Sequence, residues 1–214
     1  MAIIVPKFNS WANKYCPNPL PSISNAAISN AVDKAYAPSV VRALYRNGKL
    51  VGFDKNTNGK TQSRKVATNI IVCYLGYVHQ NNTLPYPITD LWDQIRNVYR
   101  TNGIDWYTYG NAQKWVGMAI KYYLVDKYRI TPTMLGSNPL ADVVFPIDRI
   151  MINKINTGTI ATGSYGNITV SVSNPPQPSW SQCDVPNVFI NYINQVRKQV
   201  PDTLIEFEIN NWQP

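Results

Sequence analysis

Apolar residues recur along this chain at two periods, and the changes of period divide it into elements. Residues 24–36 place Ala27, Ile28, Val32 and Tyr36 at helical spacing behind Ser24, a good N-cap. Residues 64–79 resume that period, with a mostly apolar run from Ile70 to Val78 that predicts a central helix. Over 89–101, Leu91, Trp92, Ile95, Val98 and Tyr99 align on one face. Thr89 is placed to cap that helix, and Asp90 and Asp93 precede Arg96 and Arg100 in the order the helix dipole favours. The strongest helical pattern, 111–128, aligns Ala112, Trp115, Val116, Ala119, Tyr122 and Tyr123, so Trp115 and Tyr122 are expected in the core. Gln113, Gly117 and Lys121 form a second stripe at i, i+4, i+8. A glycine inside a helix costs about 1 kcal/mol against alanine. Gly117 is read as tolerated at a helix–helix contact, with close approach of a backbone or a ligand as the alternative. Pro146 is read as a first-turn residue of a short helix within 142–155, and Val188, Ile190, Ile193 and Val196 give partial periodicity to a last helix over 186–200.

Three stretches follow the period of two. Asn47-Gly48 stands between two short apolar runs in 42–53, and Asn-Gly supplies the positive φ angles of a type I′ turn, so a β-hairpin is expected. Asn58-Gly59 is a second turn signal in a polar loop over 54–63. Residues 159–174 alternate around a glycine-rich turn and predict a second hairpin, and 203–210 alternate as a terminal strand. Residues 1–23 hold Pro6, Pro17, Pro19 and Pro21 and read as an irregular arm laid across the body by Phe8, Trp11 and Tyr15. The expected fold class is α+β: a mainly helical single domain over 24–214 with two short β-hairpins and a C-terminal strand, behind the arm.

Composition fits that outline. A chain of 214 residues with 44% hydrophobic and 12% aromatic residues can bury a sizeable core and is not disordered throughout. Cys16, Cys73 and Cys183 are far apart, an odd count without CxxC spacing, which points to free thiols in a reducing compartment, with Cys73 buried in its apolar run. The apolar run after Met1 is too short for a signal peptide, and Ile70 to Val78 is too short to cross a bilayer. The expectation is a cytoplasmic protein with no membrane partner.

Charge changes the picture more. Twenty Lys and Arg oppose 12 Asp and Glu, for a formal net charge of +8. Much of the excess lies in one stretch: residues 42–65 carry Arg42, Arg46, Lys49, Lys55, Lys60, Arg64 and Lys65 against Asp54 alone. Clustered cations are the electrostatic footprint of a phosphate-backbone binder, and the interleaved Tyr45 and Phe53 offer rings for base stacking. These seven cations are the expected binding residues for DNA or RNA.

Gly59-Lys60-Thr61 resembles the end of a P-loop, but the pattern requires a first glycine at position 54, where Asp54 sets an anion against the phosphates. No hydrolysis of ATP or GTP is expected. The single histidine, His79, falls at a predicted helix end and reads as a capping or core residue. One His and scattered Cys leave no zinc ligand set, so neither a metal nor a cofactor is expected. The acids Asp148, Glu206 and Glu208 keep a rival open: a metal-dependent nucleotide- or nucleic-acid-processing enzyme, with Glu206 and Glu208 on one face of the terminal strand. A third reading is a protein-interaction factor whose basic charge is incidental.

Overall fold

The computed structural model describes residues 25–36, 58–130, 137–157, 159–162, 166–177 and 179–211. The arm over 1–23, the Ser24 cap and the Asn47-Gly48 hairpin lie outside the described residues.

Seven α-helices lie within them: α1 (Asn25–Tyr36), α2 (Asn58–Asn81), α3 (Ile88–Thr101), α4 (Tyr109–Ile130), α5 (Arg149–Asn156), α6 (Pro186–Arg197) and α7 (Leu204–Asn211). α4 is the axis. α1 packs on it most extensively, with α2 against α1 and α3, and α3 and α6 also touch α4. Every residue of α4 from Gly110 to Val125 is buried, as expected of a helix enclosed on all sides. Trp115 and Tyr122 are in the core as the stripe predicts, and the Trp115 indole N–H donates to the Val32 carbonyl of α1 at 3.0 Å. That bond satisfies a polar atom that burial would otherwise leave unpaired.

The α+β assignment is corrected: the described residues are mainly helical. Their strands amount to one antiparallel ladder, β1 (Thr159–Thr162) with β2 (Gly166–Thr169), in register Thr159↔Thr169 to Thr162↔Gly166. Glutamine side chains take the place of further strands. Gln199 accepts from the Ser171 N–H and donates to its carbonyl, and Gln195 does the same at Ser173. The extended backbone after β2 is therefore satisfied by amides from α6 and its C-terminal edge rather than by a sheet. The alternation at 203–210 is also not a strand but α7. Thr203 and Glu206 form a reciprocal capping box, with the Glu206 carboxylate accepting from the Thr203 N–H at 2.9 Å and the Thr203 hydroxyl from the Glu206 N–H at 3.3 Å. α7 then buries nearly every side, and a short apolar run buried all round reads equally well as strand or helix from sequence.

Other boundaries shift for local reasons. Asn58-Gly59 is not a turn but the first residues of α2, which absorbs the end of the polar loop. α3 has Pro87 as its N-cap with no side-chain cap bond, and Thr89 instead donates to Asp90. Pro146 precedes α5, which starts only after Asp148. Cys73 is exposed, because α2 turns Ile71, Tyr74, Leu75 and Val78 inward and Cys73 and Tyr77 outward. Among the described residues no helix is long and apolar enough to cross a membrane.

Candidate nucleic-acid interface and the buried polar seam

The cations singled out by the sequence fall into three groups. Arg42, Arg46, Lys49 and Lys55 lie outside the described residues. Lys60 lies in the first turn of α2, a helix of 24 residues without one acidic side chain. Arg64 and Lys65 follow on the next turn, both exposed. Arg64 is partly engaged, 3.3 Å from Asp33 and stacked 4.2 Å above the Tyr36 ring, so it also ties α2 to α1. An exposed pair of this kind contributes about 0–1 kcal/mol. Lys65 pairs with no acid among the described residues. Beyond it, Asn69, Cys73 and Tyr77 continue an exposed stripe at four-residue steps. The first turn of α2 carries no carboxylate of its own, and a helix N-terminus bears a partial positive charge. The helix end and its side chains thus add potentials of one sign.

The acids of the enzyme reading are spent elsewhere. Asp148 is the N-cap of α5, accepting from the Met151 N–H at 3.0 Å, and its other oxygen lies 2.5 Å from the Lys114 ammonium. Glu206 closes the α7 capping box, and burial pushes its carboxyl up against the Thr203 hydrogen bonds that pull it down. Glu208 is fully buried, with its two oxygens 2.6 and 2.8 Å from the Lys121 ammonium. Burial pushes the Glu208 carboxyl up and the Lys121 ammonium down, and each charge opposes the other's shift. Glu206 and Glu208 share no strand face, and among the described residues no group of three His, Cys, Asp or Glu is arranged to hold a metal ion.

No family model, no curated protein and no solved structure matches this chain.

Sequence reasoning missed that the second stripe of α4 is a polar seam. Gln113 donates to the Ile147 carbonyl at 2.8 Å and accepts from its N–H at 3.2 Å, one more glutamine acting as a strand partner. Gly117 lets the same segment close in: a Cβ there would stand 3.0 Å from the Pro146 Cα. Gln113, Lys114, Gly117 and Lys121 therefore recognise residues 145–148 and α7 together. The available signal was the charged residue in the Gln113–Gly117–Lys121 row. Once buried, that lysine needs a counter-charge, and Glu208 supplies it from 87 residues away in sequence.

His79 sits in the last turn of α2, as expected for a helix-end residue, half-buried with Nδ1 3.1 Å from the Tyr123 hydroxyl. Burial lowers its pKa, and the nearby Lys127 lowers it further. A second cluster joins α3 to the start of α4. Asp184 takes both arms of Arg96, at 2.7 and 2.5 Å, together with Arg100 at 2.9 Å and the Tyr109 N–H at 3.2 Å. Burial raises this carboxyl, but the Arg96 and Tyr109 hydrogen bonds and the arginine charges outweigh it and hold the group below the usual carboxylate range. Gly110 is required here, since a Cβ would come within 1.6 Å of the Trp180 carbonyl oxygen.

Proposed function

We propose that the protein binds nucleic acid through the basic segment 42–65 and the α2 surface that continues it. One observation carries the reading: α2 begins inside the basic segment and has no acidic residue over 24 positions. The acids that the enzyme reading would enlist are capped, paired or buried, which favours binding over catalysis. Phosphates would meet Lys60, Lys65 and the cations of 42–55. Arg64 contributes less, because leaving Asp33 and Tyr36 has a cost.

Fluorescence anisotropy with labelled DNA and RNA over a salt series tests this. Removing one cation that neutralises a phosphate should flatten the slope of log affinity against log salt by about 1. Lys60→Gln with Lys65→Gln is expected to weaken binding to all sequences and flatten the slope by roughly 2. Lys154→Gln with Lys198→Gln, exposed cations on or at the end of other helices, removes the same charge and should leave the slope unchanged. Equal losses from both pairs would reduce the effect to net charge. Absence of binding at low salt would end the proposal and leave the protein-interaction reading. Cleavage of the labelled strand in Mg²⁺ would restore the enzyme reading.

A further inference from the structure

Between α2 and α3 runs a shallow groove of about 280 Å³, lined by Val66, Asn69, Ile70, Cys73, Tyr86 and Gln94. We infer that this groove receives a single unpaired nucleobase, making the partner single-stranded nucleic acid; the inference rests on the binding reading above.

Four observations converge on that occupant. The first is position. Lys65 precedes Asn69 by four residues on α2, so both stand on one helix face about 5–6 Å apart at Cβ. A phosphate on Lys65 places the attached base at the groove mouth. The second is size. The groove falls just below the roughly 300–1,000 Å³ of sites that enclose drug-sized ligands, so it suits one planar ring system rather than a whole nucleotide. The third is wall chemistry. Val66, Ile70 and the Tyr86 ring offer apolar faces, and the exposed amides of Asn69 and Gln94 each present donors and an acceptor, as a base edge requires. The fourth is pre-organisation. Tyr86 is held edge-on by Tyr74 at 5.1 Å between ring centroids, the Tyr74 hydroxyl donates to the Tyr86 carbonyl at 3.1 Å, and Gln94 hydrogen-bonds the Tyr86 hydroxyl.

Asp90 is the acid near Tyr86, one turn before Gln94 on α3. Because α2 and α3 are joined by a short turn, it stands at the opposite end of the groove from Lys65. The groove is therefore polarised, cation at the phosphate end and carboxylate at the far end, where an exocyclic amino group is the matching donor. A base in a duplex is stacked on both faces and cannot enter a slot between two helices without leaving its stack. Single strands meet that condition at little cost.

Cys73 provides the readout, since its thiol is exposed at the groove. In the full-length Cys16→Ser protein, where Cys183 is buried, the rate of Cys73 modification by a disulfide reagent is measured with three probes at matched occupancy. These are a short oligodeoxycytidylate, a duplex of equal length and an abasic strand of equal length. Oligodeoxycytidylate, whose bases carry the exocyclic amino group, is expected to slow modification by at least roughly 10-fold, while the other two leave it within about twofold. Tyr86→Leu is expected to lower single-strand affinity by roughly 5- to 100-fold and leave duplex affinity unchanged. Asn69→Ala, an exposed position, should shift single-strand affinity in the same direction, so the test survives if Tyr86→Leu does not fold. Equal protection by all three probes would mean that the backbone alone lies over α2 and would overturn the base slot. So would tight binding with no protection, and in both cases the binding reading stands. If none of the probes binds, the binding reading falls and the slot falls with it.

Discussion

Lys121 and Lys65 are the same side chain in opposite settings. Lys121 is 1% exposed on α4 and lies against Glu208, which is 0% exposed, whereas Lys65 is exposed on α2 and meets no described acid. One sits in a seam where every charge has a fixed counter-charge. The other sits on a helix that carries no acid of its own, beside an arginine that is only partly engaged. Net charge counts both lysines alike, yet only the second contributes to the field that a polyanion meets. In the seam the lysine specifies which segments pack together, because an ammonium without a carboxylate cannot be buried there.

The largest effect should come from breaking the seam. Lys121→Met leaves the Glu208 carboxylate buried and unpaired and is expected to destabilise the protein by about 3–5 kcal/mol. Adding Glu208→Leu should recover most of that loss, since apolar residues of similar volume often replace a buried pair without penalty. The denaturant midpoints of the two singles and the double give the coupling directly. If the double variant is no better than the singles, the pair holds something besides its own two charges.

A smaller effect is expected at Gly117. Alanine gains about 1 kcal/mol of helix propensity, but its methyl would stand 3.0 Å from the Pro146 Cα, which is backbone and cannot rotate away. Overpacking of this kind costs about 1–3 kcal/mol, so Gly117→Ala should be net destabilising. A stabilised Gly117→Ala protein, measured by thermal unfolding, would show that residues 145–148 are not held against α4.

His79 lies between the two settings, half-buried at the inner end of the helix that carries Lys65. Burial lowers its folded pKa below the ordinary value of about 6.5. The folded protein therefore binds this proton less readily than the unfolded chain. Its contribution is fully present above about pH 6.5 and is lost as pH falls through the folded value. The urea midpoint should decline from about pH 8 to about pH 5.5, and His79→Gln should reduce that slope. An unchanged slope in His79→Gln would place the titration elsewhere.

What the sequence made legible follows from where the physics is local. α1 and α3 were readable because each has one apolar stripe that its inward residues obey, as with Leu91, Trp92, Ile95 and Tyr99, and α4 was readable through the strongest of its stripes although its polar face is buried too. α7 was not, because its fate depends on Asp142, which accepts from the Leu204 N–H from 62 residues away, and on Lys121. Extended residues 171 and 173 looked like part of a hairpin because glutamine amides leave the same alternation on the chain as a partner strand does. Of the site, charge clustering was visible, but the commitment of Arg64 to Asp33 and Tyr36 was not, since those residues belong to another helix.

The smallest effect on folding should come from Lys65, and that is what makes it the sharpest test of the comparison. Surface substitutions away from caps, pairs and packing stay within about 0.5 kcal/mol. Lys65 makes no ion pair among the described residues, so Lys65→Gln should leave the unfolding midpoint unchanged. Arg64→Gln supplies the contrast on the adjacent position, because it gives up the Asp33 pair and the stacking on Tyr36 and should cost about 0.5–1 kcal/mol. Nucleic-acid affinity should rank them the other way, with Lys65→Gln the more damaging. If Lys65→Gln destabilises the protein as much as Arg64→Gln does, Lys65 has a partner within the chain, and the contrast between the seam and the surface narrows to Lys60 and the cations of 42–55.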